Sequence, residues 1–181
     1  MIQSAHVPIL GFAAFSGTGK TTLLRKLLPL LRDRGVRVGM VKHAHHSFEV
    51  DRPGKDSYEL RKAGAAQMLI ASGTRWALMV EKQHAKDPVL DEVLLELDQA
   101  ALDLILVEGF KQEPFPKIEL RRAKLRRPLL FPEDEMIIAI AADHPDDIDT
   151  HLPVLDLNHP EAIADFIIDS VLNGDQHVAS G

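Results

Sequence analysis

The chain contains no cysteine, which excludes disulfides, thiolate metal centres and cysteine nucleophiles together. It has no excess of positive charge: the net charge is −6 and the pI about 5.8. A general affinity for nucleic acid needs a strongly basic face, so nucleic acid is not an expected partner. Apolar runs fall far short of the ~20 residues that a membrane-spanning helix requires. No secretory signal is visible, and the expectation is a cytoplasmic chain with no membrane partner. No internal repeat, low-complexity tract or clear linker breaks the 181 residues. That length fits one domain with a substantial core, expected over residues 1–172, with a polar, frayed tail at 173–181. Hydrophobic content of 45% and charged content of 27% suit a soluble globular protein.

What the chain does have is a sharp signal near its start. Ala14-Phe15-Ser16-Gly17-Thr18-Gly19-Lys20-Thr21-Thr22 fits the phosphate-binding loop G-x-x-x-x-G-K-[ST], with alanine in the first position. An apolar run, Val7 to Ala13, precedes it, and a leucine-rich segment of helical period follows. Strand, glycine loop, helix is the context the motif requires. Gly17 and Gly19 let the backbone curl so that several N–H groups converge on one phosphate. Ser16, Thr18 and Thr22 complete the cradle, and the helix start adds its positive dipole end. Lys20 would reach the β- and γ-phosphates, and the Thr21 hydroxyl would ligate Mg²⁺. Ala14 is tolerable there if it keeps a negative φ.

Leu23, Leu24, Leu27, Leu28, Leu30 and Leu31 recur at helical spacing. Pro29 should kink that helix or remove one hydrogen bond, and Gly35 should end it. Residues 36–41 alternate as a strand would, completing a right-handed βαβ unit with parallel pairing. A polar, aperiodic stretch follows to Gly54. Asp56 and Glu59 read as a capping box on a short helix ended by Gly64. Residues 67–71 and 76–80 read as a hairpin. A helix is expected over 88–100, strands over 102–107, 117–120 and 135–142, and a last helix capped by Asn158 and Glu161. The fold class predicted is α/β: a three-layer domain of the phosphate-loop NTPase type, with a mostly parallel sheet and an antiparallel hairpin.

Phosphate-loop proteins bring a carboxylate towards Mg²⁺ from a strand near the loop. Glu108 is the candidate, because it stands where its strand runs out and ligands bind at the carboxyl ends of such strands. The bland alternative is that Glu108 caps a loop. Guanine specificity commonly uses an N-K-x-D tetrapeptide, which is absent. Asp143, ending a late apolar strand, is a base-reading candidate against the alternative of a turn residue before Pro145. Lys42 and Asp51, beside the long polar stretch, are candidate contributors to hydrolysis; nothing in the sequence fixes a catalytic residue. His43, His45 and His46 invite a metal hypothesis, but a solvated or phosphate-facing loop is the favoured reading. The basic run at residues 121–127 reads as a solvated edge, or as a local positive site for an acidic partner or phosphorylated ligand.

The loop, together with Val41-Lys42-His43-Ala44-His45-His46, residues 53–65 and Leu106-Val107-Glu108-Gly109-Phe110, resembles the MobB family of molybdopterin-guanine dinucleotide biosynthesis adaptors over about residues 9–168. The resemblance implies GTP binding, weak GTP hydrolysis and Mg²⁺ dependence. It also implies partnership with the guanylyltransferase that joins GMP to molybdopterin, with molybdopterin itself as a candidate ligand, and a homodimer whose sheets share strands. The phosphate-binding role carries over to Gly17, Gly19, Lys20 and Thr21. Glu108 and Gly109 match the family's second nucleotide-facing segment. Two other readings stand beside the adaptor: a small-molecule kinase with the 121–127 arginines as a lid, and a metallochaperone GTPase motivated by the histidines.

Overall fold

The computed structural model describes residues 2–44, 48–84 and 86–174. They form two compact units, one of residues up to His43 with those from Val89 onward, the other Ala44–Pro88. His45, His46 and most of the polar tail, 175–181, lie outside the described residues.

The first unit is built on a six-stranded sheet in which every pairing is parallel. Its strands are β1 (Ile9–Ala13), β2 (Val38–Lys42), β5 (Leu104–Glu108), β6 (Lys117–Arg121), β7 (Ile137–Ala142) and β8 (Val154–Asp156), in the order β2-β5-β1-β6-β7-β8. Parallel strands are buried on both faces, and their side chains feed two separate cores. Leu10, Phe12, Leu104 and Leu106 point to one side, against Leu23, Leu27 and Leu31 of helix α1 (Lys20–Asp33) and Ile163 of α4 (Pro160–Phe166). Ile9, Ile105 and Val107 point to the other, against Leu90 and Leu94 of the short helix α3 (Leu90–Leu94). The result is the expected three-layer arrangement.

Helix α1 runs through Pro29, whose missing N–H leaves the Arg25 carbonyl without its helical partner. It ends as expected at Gly35, with φ +82°. Gly35 N–H donates to the Arg32 carbonyl and Val36 N–H to the Leu31 carbonyl, a Schellman closure that turns the chain into β2.

The second unit holds α2 (Asp56–Lys62) and the hairpin β3 (Gln67–Ala71) with β4 (Trp76–Val80). The hairpin pairs Leu69 with Leu78 and Ala71 with Trp76, and forms a sheet of its own. Arg61 is buried at the centre of three carboxylates, from Glu49, Asp51 and Glu81. That knot ties the segment before α2 to the end of β4.

Several local expectations need correcting. Asp56 is the first helical residue, not the cap; Lys55 takes the cap position, and the Glu59 carboxylate accepts instead from Gly54 N–H at 3.1 Å. The helix expected over 88–100 is a single short α3 followed by a 3₁₀ turn at Gln99–Ala101. Its continuation is pre-empted by Gln99, whose buried amide bonds the Leu94 and Ser4 carbonyls. His159, not Asn158, caps α4, which passes into a π-helical segment, Ile167–Leu172. Strand β8 is short and half-buried, too brief for a periodic signal. No helix among the described residues is long and apolar enough to cross a membrane.

Candidate functional site

Because the sheet is wholly parallel, the carboxyl ends of its strands share one edge. The loop after β1 emerges there with β5 on one side and β6 on the other. Gly17 and Gly19 stand at φ +80° and +98°, where a Cβ is strongly disfavoured. Ala14 lies outside the positive-φ region and is buried, which accounts for its tolerance at a position usually held by glycine. Thr18 is buried and donates its hydroxyl to the Phe15 carbonyl at 2.7 Å, closing the loop on itself. Ser16, Gly17, Thr21 and Thr22 are exposed on its outer side. Gly19 caps α1 without any side-chain cap, so the first-turn N–H groups remain free for an anion. Among the described residues, the Gly17 and Gly19 N–H groups donate to no other protein group.

Lys20 folds back over the loop, its Nζ 3.2 Å from the Ala14 carbonyl. Burial holds its pKa below the ordinary lysine range, and the nearby Lys111 and Lys42 ammonium groups push the same way, against the opposing pull of Glu108. Of the charges that act on Lys20, two repel it and one attracts it. Lys42 Nζ stands 3.4 Å from Glu108 Oε2, with Lys42 largely exposed and Glu108 mostly buried. Beyond Glu108 the backbone takes two unusual steps, Gly109 at φ +96° and Phe110 at φ +50°. A Cβ on Gly109 would lie 2.5 Å from the His43 Cβ, so glycine is required sterically as well as conformationally. His43 stacks its ring on Phe110 at 4.9 Å and donates its backbone N–H to the Glu108 carbonyl. The ends of β2 and β5 are thereby fixed to each other beside the phosphate loop.

The residues present fit a magnesium ion. The Thr21 hydroxyl and the Glu108 carboxylate supply hard oxygen donors, and Glu108 ends β5, the neighbour of the strand that leads into the loop.

On the other flank, Asp143 directly follows β7, with β6 between that strand and β1. Its Oδ1 accepts from Ala123 N–H at 2.9 Å and its Oδ2 faces Arg122 Nη1 at 3.7 Å. Both oxygens are engaged by protein, and reading a base would mean exchanging those partners. Asp51 belongs to the second unit, where hydrogen bonding from Arg61 holds its carboxyl below the usual range. Two contributors escape the sequence reading. Lys111 carries no motif signal. Arg122 stands in a basic run read as a solvated edge or a local positive site, with no residue singled out; its Nε donates to the Thr18 carbonyl at 2.9 Å.

A six-stranded parallel sheet carrying this glycine loop at its carboxyl edge defines an α/β protein of the phosphate-loop NTPase type. The family model for molybdopterin guanine dinucleotide synthesis protein B (MobB) matches residues 9–143, and the chain belongs to the MobB family. It is 52% identical over 170 residues to the molybdopterin-guanine dinucleotide biosynthesis adapter protein of Escherichia coli K12, covering 93% of this chain and 96% of that protein. A probable adapter protein of the same description from Bacillus subtilis is 30% identical, covering 93% and 95%. Among solved structures, molybdopterin-guanine biosynthesis protein B superposes with a TM-score of 0.68 at 25% identity, over 90% of this chain and 99% of that one. The MobB homologue from Bacillus stearothermophilus gives 0.62 at 26%, over 90% and 96%.

Proposed function

We propose that this chain is a GTP-binding adaptor that serves the guanylyltransferase step of molybdenum cofactor assembly in the cytoplasm and hydrolyses GTP only slowly. The observation that carries the reading is the loop at the carboxyl edge of the sheet: the Gly17 and Gly19 N–H groups donate to no other protein group among the described residues, Lys20 folds over the loop, and Glu108 ends the neighbouring strand β5 beside Lys42. A polyphosphate with a divalent ion satisfies both halves of that site. Loop amides and Lys20 would hold the phosphates, while Thr21 and Glu108 would hold Mg²⁺, which neutralises phosphate charge. The guanine preference, the guanylyltransferase partner and molybdopterin as a further ligand rest on family membership.

One observation weighs against the kinase alternative. Two of the four arginines offered as its lid are committed to the loop itself: Arg122 bonds Thr18, and the Arg127 guanidinium lies 5.5 Å from the Phe15 ring centre. Of the histidines behind the metallochaperone alternative, His45 and His46 lie outside the described residues.

The homodimer has support in the hairpin. Leu69, Trp76, Leu78 and Val80 are all exposed and share one face of a two-stranded sheet. A lone hairpin is marginal in water, and a second copy would add strands to its edge and cover that face. Leu78→Glu should convert a dimer to a monomer in light scattering; an unchanged mass would refute this interface.

Calorimetry with GTP and ATP, with and without Mg²⁺, tests the nucleotide assignment. Mg²⁺-dependent binding favouring GTP is expected, with turnover far below that of efficient NTPases. Preference for ATP with transfer to an acceptor would overturn it.

A further inference from the structure

The basic run at residues 121–127 has an assignment the motif does not supply. Arg122 leaves the end of β6 and donates its Nε to the Thr18 carbonyl at 2.9 Å. That carbonyl shares a peptide group with the Gly19 N–H. A trans peptide is planar, and its C=O and N–H point in opposite directions. Whatever fixes the Thr18 oxygen therefore fixes the direction of the Gly19 N–H, which donates to no other protein group among the described residues. Gly19, at φ +98°, lacks a side chain to restrain this peptide, so an external grip has something to control.

The grip is itself held. Asp143 faces the guanidinium at 3.7 Å and anchors the next residue by accepting from Ala123 N–H at 2.9 Å. Further along, buried Glu119 accepts from the N–H groups of Leu130 and Phe131 at 2.9 and 3.0 Å. Arg127 lies over the Phe15 ring. The segment after β6 is thus tied down at both ends and touches the phosphate loop at two of its residues. A solvated edge would need none of these ties.

We propose that Arg122, held by Asp143, is a positioning residue that turns the Thr18–Gly19 peptide so that its N–H faces the bound phosphate. The inference deepens the nucleotide-binding reading and rests on it. The donor, rather than the charge, does the positioning, because it is Nε that meets the carbonyl.

The chemistry gives a clean test. Glutamine places a neutral N–H donor at the position of the arginine Nε, whereas methionine matches the stem with neither donor nor charge. Wild type, Arg122→Gln and Arg122→Met would be titrated with Mg²⁺–GTP and with inorganic tripolyphosphate, alongside thermal melts. Expected is a loss of about tenfold or more for Arg122→Met, equal on both ligands, with Arg122→Gln within about threefold of wild type. The Gly19 amide resonance should shift in Arg122→Met but not in Arg122→Gln. Equal losses in both variants would assign the effect to charge and overturn positioning; no loss in Arg122→Met would overturn it outright. Should Arg122→Met fail to fold, Asp143→Asn decides: a weaker loss shared by GTP and tripolyphosphate supports the linkage. A loss on GTP alone, or none, refutes it. Wild type that binds neither ligand would instead sink the nucleotide-binding reading itself.

Discussion

Replacing Lys20 with methionine removes an ammonium from the site while keeping its stem. In the unliganded protein that charge sits in poor surroundings: it is partly buried, Lys111 and Lys42 repel it, and Glu108 compensates only in part. Its pKa is accordingly held below 10.5. A lysine with a lowered folded pKa subtracts stability at every pH where it is charged in both states. The penalty fades as pH rises through the folded value towards the unfolded one. Lys20→Met should therefore melt no lower than wild type at neutral pH, and any advantage should fade towards about pH 10.5. Binding goes the other way. A hydrogen bond to a charged group contributes about 1.5–3 kcal/mol, so Mg²⁺–GTP affinity should drop by about tenfold to about 150-fold. A polyphosphate favours the charged lysine, so wild-type binding should take up protons in the alkaline range and weaken as Lys20 deprotonates. Calorimetry in buffers of different ionisation enthalpy, with thermal melts of both proteins, measures each part. Affinity within twofold of wild type would refute the role assigned to Lys20, and a clearly lower melting temperature would refute the account of its unfavourable charge.

Gly109→Ala should destabilise the protein by at least about 1–2 kcal/mol for the left-handed backbone alone, with a further cost from the contact with His43, measured by urea titration. Mg²⁺-dependent binding should weaken with it, because Glu108 precedes the strained step. Leu27→Ala, at a fully buried position of α1, should cost about 2–5 kcal/mol through the cavity it leaves; the folded fraction should still bind nucleotide with wild-type affinity. Asp103 has its carboxyl lowered from 3.8 to about 2, chiefly by its hydrogen bond from Arg37. That stabilisation is present above about pH 4 and lost as pH falls towards 2. Wild type should therefore exceed Asp103→Asn in stability at pH 6 and match it near pH 2, in denaturant titrations at each pH.

The parts of the site that share one stretch of chain are legible in the residues alone. Gly17 and Gly19 announce themselves because only glycine suits their φ, and Lys20 and Thr21 follow at fixed offsets. Glu108 can be singled out because a parallel sheet sends ligands to strand carboxyl ends, and the fold puts it at the end of β5. The hairpin is readable from period and turn residues, but the expected direct pairing of the strands on either side of α1 is not borne out: β5 lies between β1 and β2 and pairs in parallel with both. The short helix α3 is not readable, since apolar spacing over 88–100 says nothing of Gln99 turning inward to bond two carbonyls.

Sequence by itself determined the phosphate loop, the alternation of strands with helices and the residues that fill the core, because these depend on local backbone freedom and on hydrophobic period. Only the tertiary structure decided that Arg122 reaches Thr18 across 104 residues, that Asp143 turns to Ala123 and Arg122, and that Lys111 and Lys42 crowd Lys20. Each of those interactions joins segments that leave the carboxyl ends of different strands. Strand order is set by packing over the whole sheet, which no local pattern of residues encodes.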